Sequence, residues 1–404
     1  MLKNSLALPQ LDERAATERV IELMAIPGKS CEEWQVVQHL IRELKQAGVP
    51  ASAIHVDQVF QKSPAKGTVG NLIVTLPGTM RGPRRLLMAH LDTVPLAVGS
   101  EPFRRFREIR SANPQTALGG DNRSGVAVVL TAIIEILKQK LPYPPLTLFF
   151  PVQEEIGLNG ARYVNLSKLG NPKLCFNWDG GAADSVCIGA TGAFDLEIEI
   201  EGIASHAGVH PEDGVSAIVI AGMAIADLQK NGYHGLIVKG KSRGTSNIGV
   251  ISGGDATNVV TSLVKLRGEV RSHDRNFRKR LVAEFEMAFL RAVRAVKNKA
   301  GRQGKLHFKS TLKYEPFCLR ENEPCVQAAI EAIRLVGLDP TTKISNGGLD
   351  ANWLSERGLP TVTLGAGQKN VHTTEESLDL DAFMTGCQVG LLLASAWQPP
   401  ATSR

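Results

Sequence analysis

Leu86-Leu87-Met88-Ala89-His90-Leu91-Asp92-Thr93-Val94-Pro95, residues 86–95, runs from a short apolar stretch straight into a histidine and an aspartate, and ends at a proline. The apolar part lacks strict alternation, which suits a strand buried on both faces. Residues 71–76, 146–152, 174–178 and 361–364 read the same way, rich in Leu, Val, Ile and Phe. Between two of these runs Val126, Val129, Leu130, Ile133, Ile134 and Leu137 recur at helical spacing on one face. Upstream, Ser30 followed by Glu33 reads as a capping box. It would open a helix carrying Val37, Leu40, Ile41 and Leu44 and stopped by Gly48. Such strands alternating with helices predict an α/β fold around a largely buried sheet.

Near Gly192 the pattern changes. Phe194, Leu196, Ile198 and Ile200 alternate with other residues, as in a strand with one wet face. A helix over 214–230 follows, then strands at 246–251 and 263–270, a helix over 277–297 and a strand marked by Leu306, Phe308 and Leu312. The order β-α-β-β-α-β is the split βαβ, ferredoxin-like arrangement. The expected organisation is therefore a first domain of two parts, 1–191 and 314–404, interrupted by an α+β domain over 192–313.

Composition bounds the function classes. With 404 residues, 43% hydrophobic and 21% charged, the chain is an ordinary globular one. The net charge of +6 is modest, and its densest cluster, Arg81, Arg84 and Arg85, has no interleaved aromatics. That cluster reads as a solvated loop, and no nucleic-acid partner is expected. No apolar stretch is long enough to span a bilayer, so no membrane partner is expected either. Residues 1–20 carry no apolar core of signal-peptide length. The six cysteines form no Cys-x-x-Cys pair, which suits free thiols in a reducing, cytoplasmic setting. The Pro-rich tail, residues 398–404, is expected to fray.

The chemistry sits where the strands end. His90 and Asp92 follow 86–89, Glu154 and Glu155 follow 146–152, and Asp179 follows 174–178. His372 comes shortly after 361–364, and Asp121 stands where the amphipathic helix begins. Ligand sites of α/β sheets form outside the carboxyl ends of the strands. Taken singly, Asp121 fits a helix N-cap, the glutamates a solvated pair, and the histidines hydrogen-bonded loop residues. Taken together, several carboxylates and two imidazoles on one sheet edge are costly unless cations neutralise them. Two zinc ions would do so, with manganese or cobalt as alternatives. Asp121 would bridge them, His90 and Asp179 completing one and Glu155 and His372 the other. Asp92 would accept a hydrogen bond from the His90 ring and fix its tautomer. Glu154 would serve as general base.

These segments resemble the co-catalytic dizinc exopeptidases that include aminoacylase, glutamate carboxypeptidase and peptidase T. The matching stretches are 88–95, Gly120-Asp121-Asn122, Glu154-Glu155-Ile156-Gly157, Asn177-Trp178-Asp179-Gly180 and the His372 segment. The resemblance implies a zinc-peptidase-like mixed sheet flanked by helices, with the inserted domain as a lid that also carries homodimer contacts. It further implies that His206, in Ser205-His206-Ala207-Gly208, helps hold an oxyanion in its own or the partner's site. Asn258 would contact the substrate backbone and Arg271 a substrate carboxylate. Asp350, in Gly347-Gly348-Leu349-Asp350, would be a substrate or supporting residue, although Leu349 replaces the threonine of the family turn. Aspartate at 179 and the runs 154–162 and 245–251 look most like the peptidase T branch. The resemblance thus implies a tripeptide aminopeptidase acting on small peptides. An N-acyl amino acid deacylase or carboxypeptidase on the same scaffold is the alternative, and a non-catalytic peptide-binding relative a further one.

Overall fold

The computed structural model describes residues 8–396, so the tail expected to fray lies outside the described residues. The chain divides into two compact units. Residues up to Gly189 and from Cys318 onward form one, and Ala190–Phe317 the other.

The first unit is built on one mixed sheet. Its strands lie in the order Ile54–Val56, Leu72–Leu76, Leu146–Phe150, Arg85–Met88, Leu174–Trp178, Thr361–Leu364 and Ser185–Ala190. Thr341–Ser345 pairs with the last of these. Leu146–Phe150, Arg85–Met88, Leu174–Trp178 and Thr361–Leu364 are parallel neighbours. Leu72–Leu76 and Ser185–Ala190 join this parallel core antiparallel. Side chains alternate across the sheet, so each strand feeds two cores. Leu72, Val74, Leu87, Leu148, Phe176 and Trp178 pack among helices Glu13–Ala25, Gly120–Gln139 and Leu380–Ala394. Ile73, Leu86, Met88, Phe149 and Cys175 face the other way, onto Leu169, Leu354 and Leu359. This double burial is why the runs read as continuous apolar stretches. Among the described residues, no helix is long and apolar enough to cross a membrane.

Two readings of this unit need correction. Ser30 and Glu33 do not cap the helix Trp34–Gln46, whose N-cap makes no side-chain hydrogen bond. The Ser30 hydroxyl donates to Asp92 Oδ2 at 2.6 Å, and Glu33 Oε1 accepts from the N–H of Cys31 and of Gln153. Buried donors next to the site outbid the helix end. Arg81 is exposed in a loop as expected, but Arg84 and Arg85 are not solvated loop residues. Arg84 donates to Leu146 O at 2.6 Å, and Arg85 to Leu393 O and Ser395 O at 2.6 and 2.9 Å. They satisfy backbone carbonyls that would otherwise be buried without partners.

The second unit is an antiparallel sheet covered by two helices. Its order is Gly235–Lys239, Ser242–Gly253, Leu263–Ser272, Gly192–Glu201 and Lys305–Tyr314. Leu196, Ile198 and Ile200 pack with Ile220, Ala224, Leu281, Phe285 and Phe289 of the helices Ala217–Lys230 and Arg275–Ala295. The alternate residues Glu197, Glu199 and Glu201 pair with Lys309, Lys265 and His307 on the opposite face. The strand Gly235–Lys239 was not expected, so the order is β-α-β-β-β-α-β. It is an edge strand in which only Ile237 is buried, while Leu236 is 73% exposed. Three apolar residues between polar neighbours carried no readable period.

Candidate metal centre

Each parallel strand delivers polar residues at its carboxyl end. Met88 is followed by His90 and Asp92, Phe150 by Gln153, Glu154 and Glu155, Trp178 by Asp179, and Leu364 by the loop bearing His372. Asp121 arrives from the start of the helix Gly120–Gln139. There the backbone departs from helical geometry, with Asp121 at φ −82° and ψ 106°, and the Asp121–Asn122 peptide is cis. The capping bond here is made by Asn122, whose Oδ1 accepts from Gly125 N at 3.2 Å, while the Asp121 carboxylate turns toward His90 and His372.

These side chains meet around Asp121. His90 Nε2 lies 3.2 Å from Asp121 Oδ1 and 3.6 Å from Asp179 Oδ1. On the other side His372 Nε2 lies 3.2 Å from Asp121 Oδ2 and 3.0 Å from Glu155 Oε1. The two oxygens of one carboxylate thus each face a different imidazole–carboxylate pair. Ligands of a tetrahedral zinc, at about 2.0–2.2 Å from the ion, stand roughly 3.3–3.6 Å from one another. The donor separations here fall close to that spacing. Glu154 joins His90 and Asp179, and Glu155 joins His90 and Asp121, each group with donor atoms within 4.8 Å of one another.

The donor chemistry fits cations. His90 Nδ1 lies 3.1 Å from the Asp92 main-chain oxygen, which a ring N–H there would satisfy. Nε2 then faces two carboxylate oxygens, and Asp121 Oδ1 is buried without a hydrogen bond. A proton on Nε2 can serve only one of these oxygens, whereas a cation at their focus serves all.

Electrostatics report the same crowding. Burial pushes the Glu154 carboxyl well above its usual range, and Asp179, Asp350 and Glu155 add to the rise against an opposing His90. Burial likewise raises Asp179. Burial opposes charge on His90, yet Glu154, Asp121, Asp179 and Asp92 outweigh it and raise its proton affinity well above normal. His372, bonded to Asp121 and Glu155, is raised to about 10. Asp121 is held below its normal value because hydrogen bonds to both histidines overcome its burial.

Asp92 does more than face the His90 ring. Its carboxylate lies 3.5 Å from His90 Nδ1, farther than its own main-chain oxygen does. Both carboxylate oxygens are occupied elsewhere: Oδ1 accepts from Glu154 N at 2.9 Å, and Oδ2 from Glu155 N at 3.1 Å and from Ser30 Oγ. Asp92 therefore secures the backbone of both glutamates. Three more residues were missed by sequence reasoning. Glu33 holds Gln153 N, Gln368 donates to Gly120 O and Asn122 Oδ1, and Glu376 accepts from Gly119 N and Asp121 N. Apart from the Gln368–Asn122 bond, they act on main-chain groups, which leave no side-chain motif.

Asp350 begins the short helix Asp350–Glu356 and is buried with both carboxylate oxygens unpartnered. Burial and the charges of Asp179 and Asp92 raise its proton affinity well above normal, against the opposing charge of His90. The remaining expected site residues belong to the second unit. There His206 and Asn258 are neighbours: Ala207 N donates to Asn258 O at 2.8 Å, and His206 bridges Val259. Arg271 makes a two-pronged contact with Glu269 at 2.8 and 2.9 Å.

Comparison with known proteins follows the same lines. A tripeptidase from Staphylococcus aureus superposes with a TM-score of 0.84 at 28% identity, over 95% of this chain and 98% of that one. Aminopeptidase PepT from Bacillus cereus gives 0.80, also at 28% identity and with the same coverages. Protein YqjE of Bacillus subtilis is 27% identical over 377 residues, 93% of this chain and 96% of its own. The model of peptidase family M20/M25/M40 matches residues 86–396 and so takes in every strand end that supplies the centre as well as the whole second unit. This protein is a peptidase and belongs to family M20/M25/M40.

Proposed function

We propose that this chain is a two-cation aminopeptidase that removes residues from tripeptides and similar short peptides. The observation that carries the reading is the placement of Asp121, with one oxygen toward His90 and Asp179 and the other toward His372 and Glu155. The likeness to a tripeptidase and an aminopeptidase supports the substrate class. His90, Asp179 and Asp121 would hold one cation, and Glu155, His372 and Asp121 the other. Zinc suits this nitrogen and oxygen set, and carboxylate-rich sites also take manganese or cobalt. Such a pair supplies Lewis acidity and lowers the pKa of water toward about 7.

The chain's own groups do the rest. Glu154 takes the proton from the attacking water and returns it to the departing amine. It is buried beside the proposed cation pair, with its backbone fixed by Asp92, so it can hold that proton between the two steps. Asp92 holds the backbone from which both glutamates project. His206 Nδ1 accepts from the N–H of Gly208 and Val209 at 3.2 and 3.1 Å, which leaves the ring proton on Nε2. That tautomer suits a donor to an oxyanion. His206→Ala should lower kcat on the order of 10²–10³-fold while metal content stays normal; an unchanged kcat removes the role. Asn258 would contact the peptide backbone, Arg271 the substrate carboxylate in competition with Glu269, and Asp350 the floor of the site.

Incubating the zinc-loaded protein with tripeptides, dipeptides and N-acyl amino acids tests the assignment, with products identified by mass. Release of the N-terminal residue from free tripeptides, with N-acetylated tripeptides left intact, is the expected result. Cleavage of the acyl amino acids instead would replace it with a deacylase.

The six free cysteines fit a reducing compartment, and the cytoplasm is the proposed location. The proposed partner is a second copy of the chain. Ile218, Val219 and Met223 lie exposed on the helix Ala217–Lys230, at 50%, 49% and 43%. Sedimentation should give a dimer, and a monomer at all concentrations would reject it.

A further inference from the structure

His372 sits in a loop whose stem is closed by pairing of Gln368 and Lys369 with Leu378 and Ser377. The loop is irregular, with Asn370 at φ 52° and His372 at φ 64°, and the His372 side chain is 47% exposed. Nothing in that local geometry fixes the distance from its ring to Asp121, which lies some 250 residues earlier. The fixing comes from the two ends of the loop. At one end, Gln368 Nε2 donates to Gly120 O at 3.2 Å and to Asn122 Oδ1 at 2.9 Å. At the other, Glu376 Oε2 accepts from Gly119 N at 2.7 Å and Oε1 from Asp121 N at 2.9 Å. Both side chains are buried, at 6% and 3% exposure. Asn122 is in turn tied to Trp178 O at 2.7 Å, next to Asp179.

The pairing also answers a structural need. As at any helix start, the N–H groups of Gly119 and Asp121 have no intrahelical acceptors. One carboxylate supplies both acceptors, and charge-assisted bonds of this kind are among the stronger ones. The segment carrying Asp121 and the loop carrying His372 are therefore joined by four hydrogen bonds.

We propose that Glu376 and Gln368 are positioning residues that clamp the His372 loop to the Asp121 segment and so set how tightly the cation between Asp121, Glu155 and His372 is held. The inference rests on the two-cation reading above. Its test is zinc stoichiometry across a buffered series of free zinc concentrations for the wild-type protein, Glu376→Ala, Glu376→Gln and Gln368→Ala, with kcat and KM measured alongside. Wild type should hold two ions. Glu376→Ala should keep one and lose the other, with the second affinity reduced about 10- to 100-fold. Glu376→Gln, which retains one acceptor oxygen, and Gln368→Ala should fall between. The loss should appear in kcat rather than KM, and raised zinc should restore it, which a general loosening of the fold would not allow. Wild-type affinity for both ions in folded Glu376→Ala overturns the proposal. If that variant does not fold, wild-type affinity in Glu376→Gln and Gln368→Ala overturns it equally. A wild-type protein that binds fewer than two ions at saturation removes the two-cation reading itself, and the clamp with it.

Discussion

Glu154→Gln is expected to abolish measurable turnover while leaving both cations bound. The amide has nearly the volume of the carboxyl, so packing around this buried side chain should persist, and its N–H should stay on Asp92 Oδ1. What disappears is the basic carboxylate, because an amide oxygen is too weak a base to take the proton. General acid–base assistance is worth about 10²–10⁴-fold. Here one group serves both the attack and the departure of the amine, so the upper end of that range is expected. The neighbouring variant sharpens the test. Glu155→Gln removes a group placed 3.0 Å from His372, and its first symptom should be loss of one ion, partly reversed by excess metal. Measuring kcat and metal content for both variants separates base from ligand. A Glu154→Gln protein with wild-type kcat would defeat the assignment. One that lost metal as Glu155→Gln does would make Glu154 a ligand instead.

The contrast between these adjacent residues also shows what could be read before any coordinates. His90, Asp121, Glu155, Asp179 and His372 are nameable because each follows a continuous apolar run or opens a helix with a clear apolar period. A polar side chain at the carboxyl end of a doubly buried strand has few places to go. The sheet was legible for the same reason, since Leu146–Phe150, Arg85–Met88 and Leu174–Trp178 bury both faces. The supporting layer was not. Ser30 and Glu33 satisfied a familiar helix-start pattern, and only the fold reveals that buried N–H and hydroxyl groups compete for them. Glu376 and Gln368 bond mainly to the main chain of residues 119–121, and main-chain direction is set by tertiary structure. The edge strand Gly235–Lys239 escaped because exposure on both faces of most of its residues erases periodicity.

Asp92→Ala is expected to be the most damaging substitution of a residue that is not itself a proposed ligand. Asp92 is fully buried, and its two oxygens satisfy three donors: Glu154 N, Glu155 N and Ser30 Oγ. Removing the carboxylate strands all three in a place water does not reach. Each orphaned donor costs about 1–3 kcal/mol. Rotation of the Ser30 hydroxyl could recover one of them, which leaves a loss of about 2–6 kcal/mol. For a protein with the usual margin of about 5–15 kcal/mol, that is a large fraction. It should appear as an earlier midpoint in denaturant. The catalytic cost should exceed the stability cost, because the same oxygens set where both glutamates stand. A displacement near 1 Å at a reacting group can cost about 10²-fold, so kcat should fall at least that far even where the variant is folded. Asp92→Asn separates the two effects. It keeps an acceptor for one glutamate N–H but turns a donor toward the other, so it should recover much of the stability and little of the rate. Equal recovery of both would mean that Asp92 serves packing alone, and an unaltered denaturation midpoint in Asp92→Ala would show that the three donors find other partners.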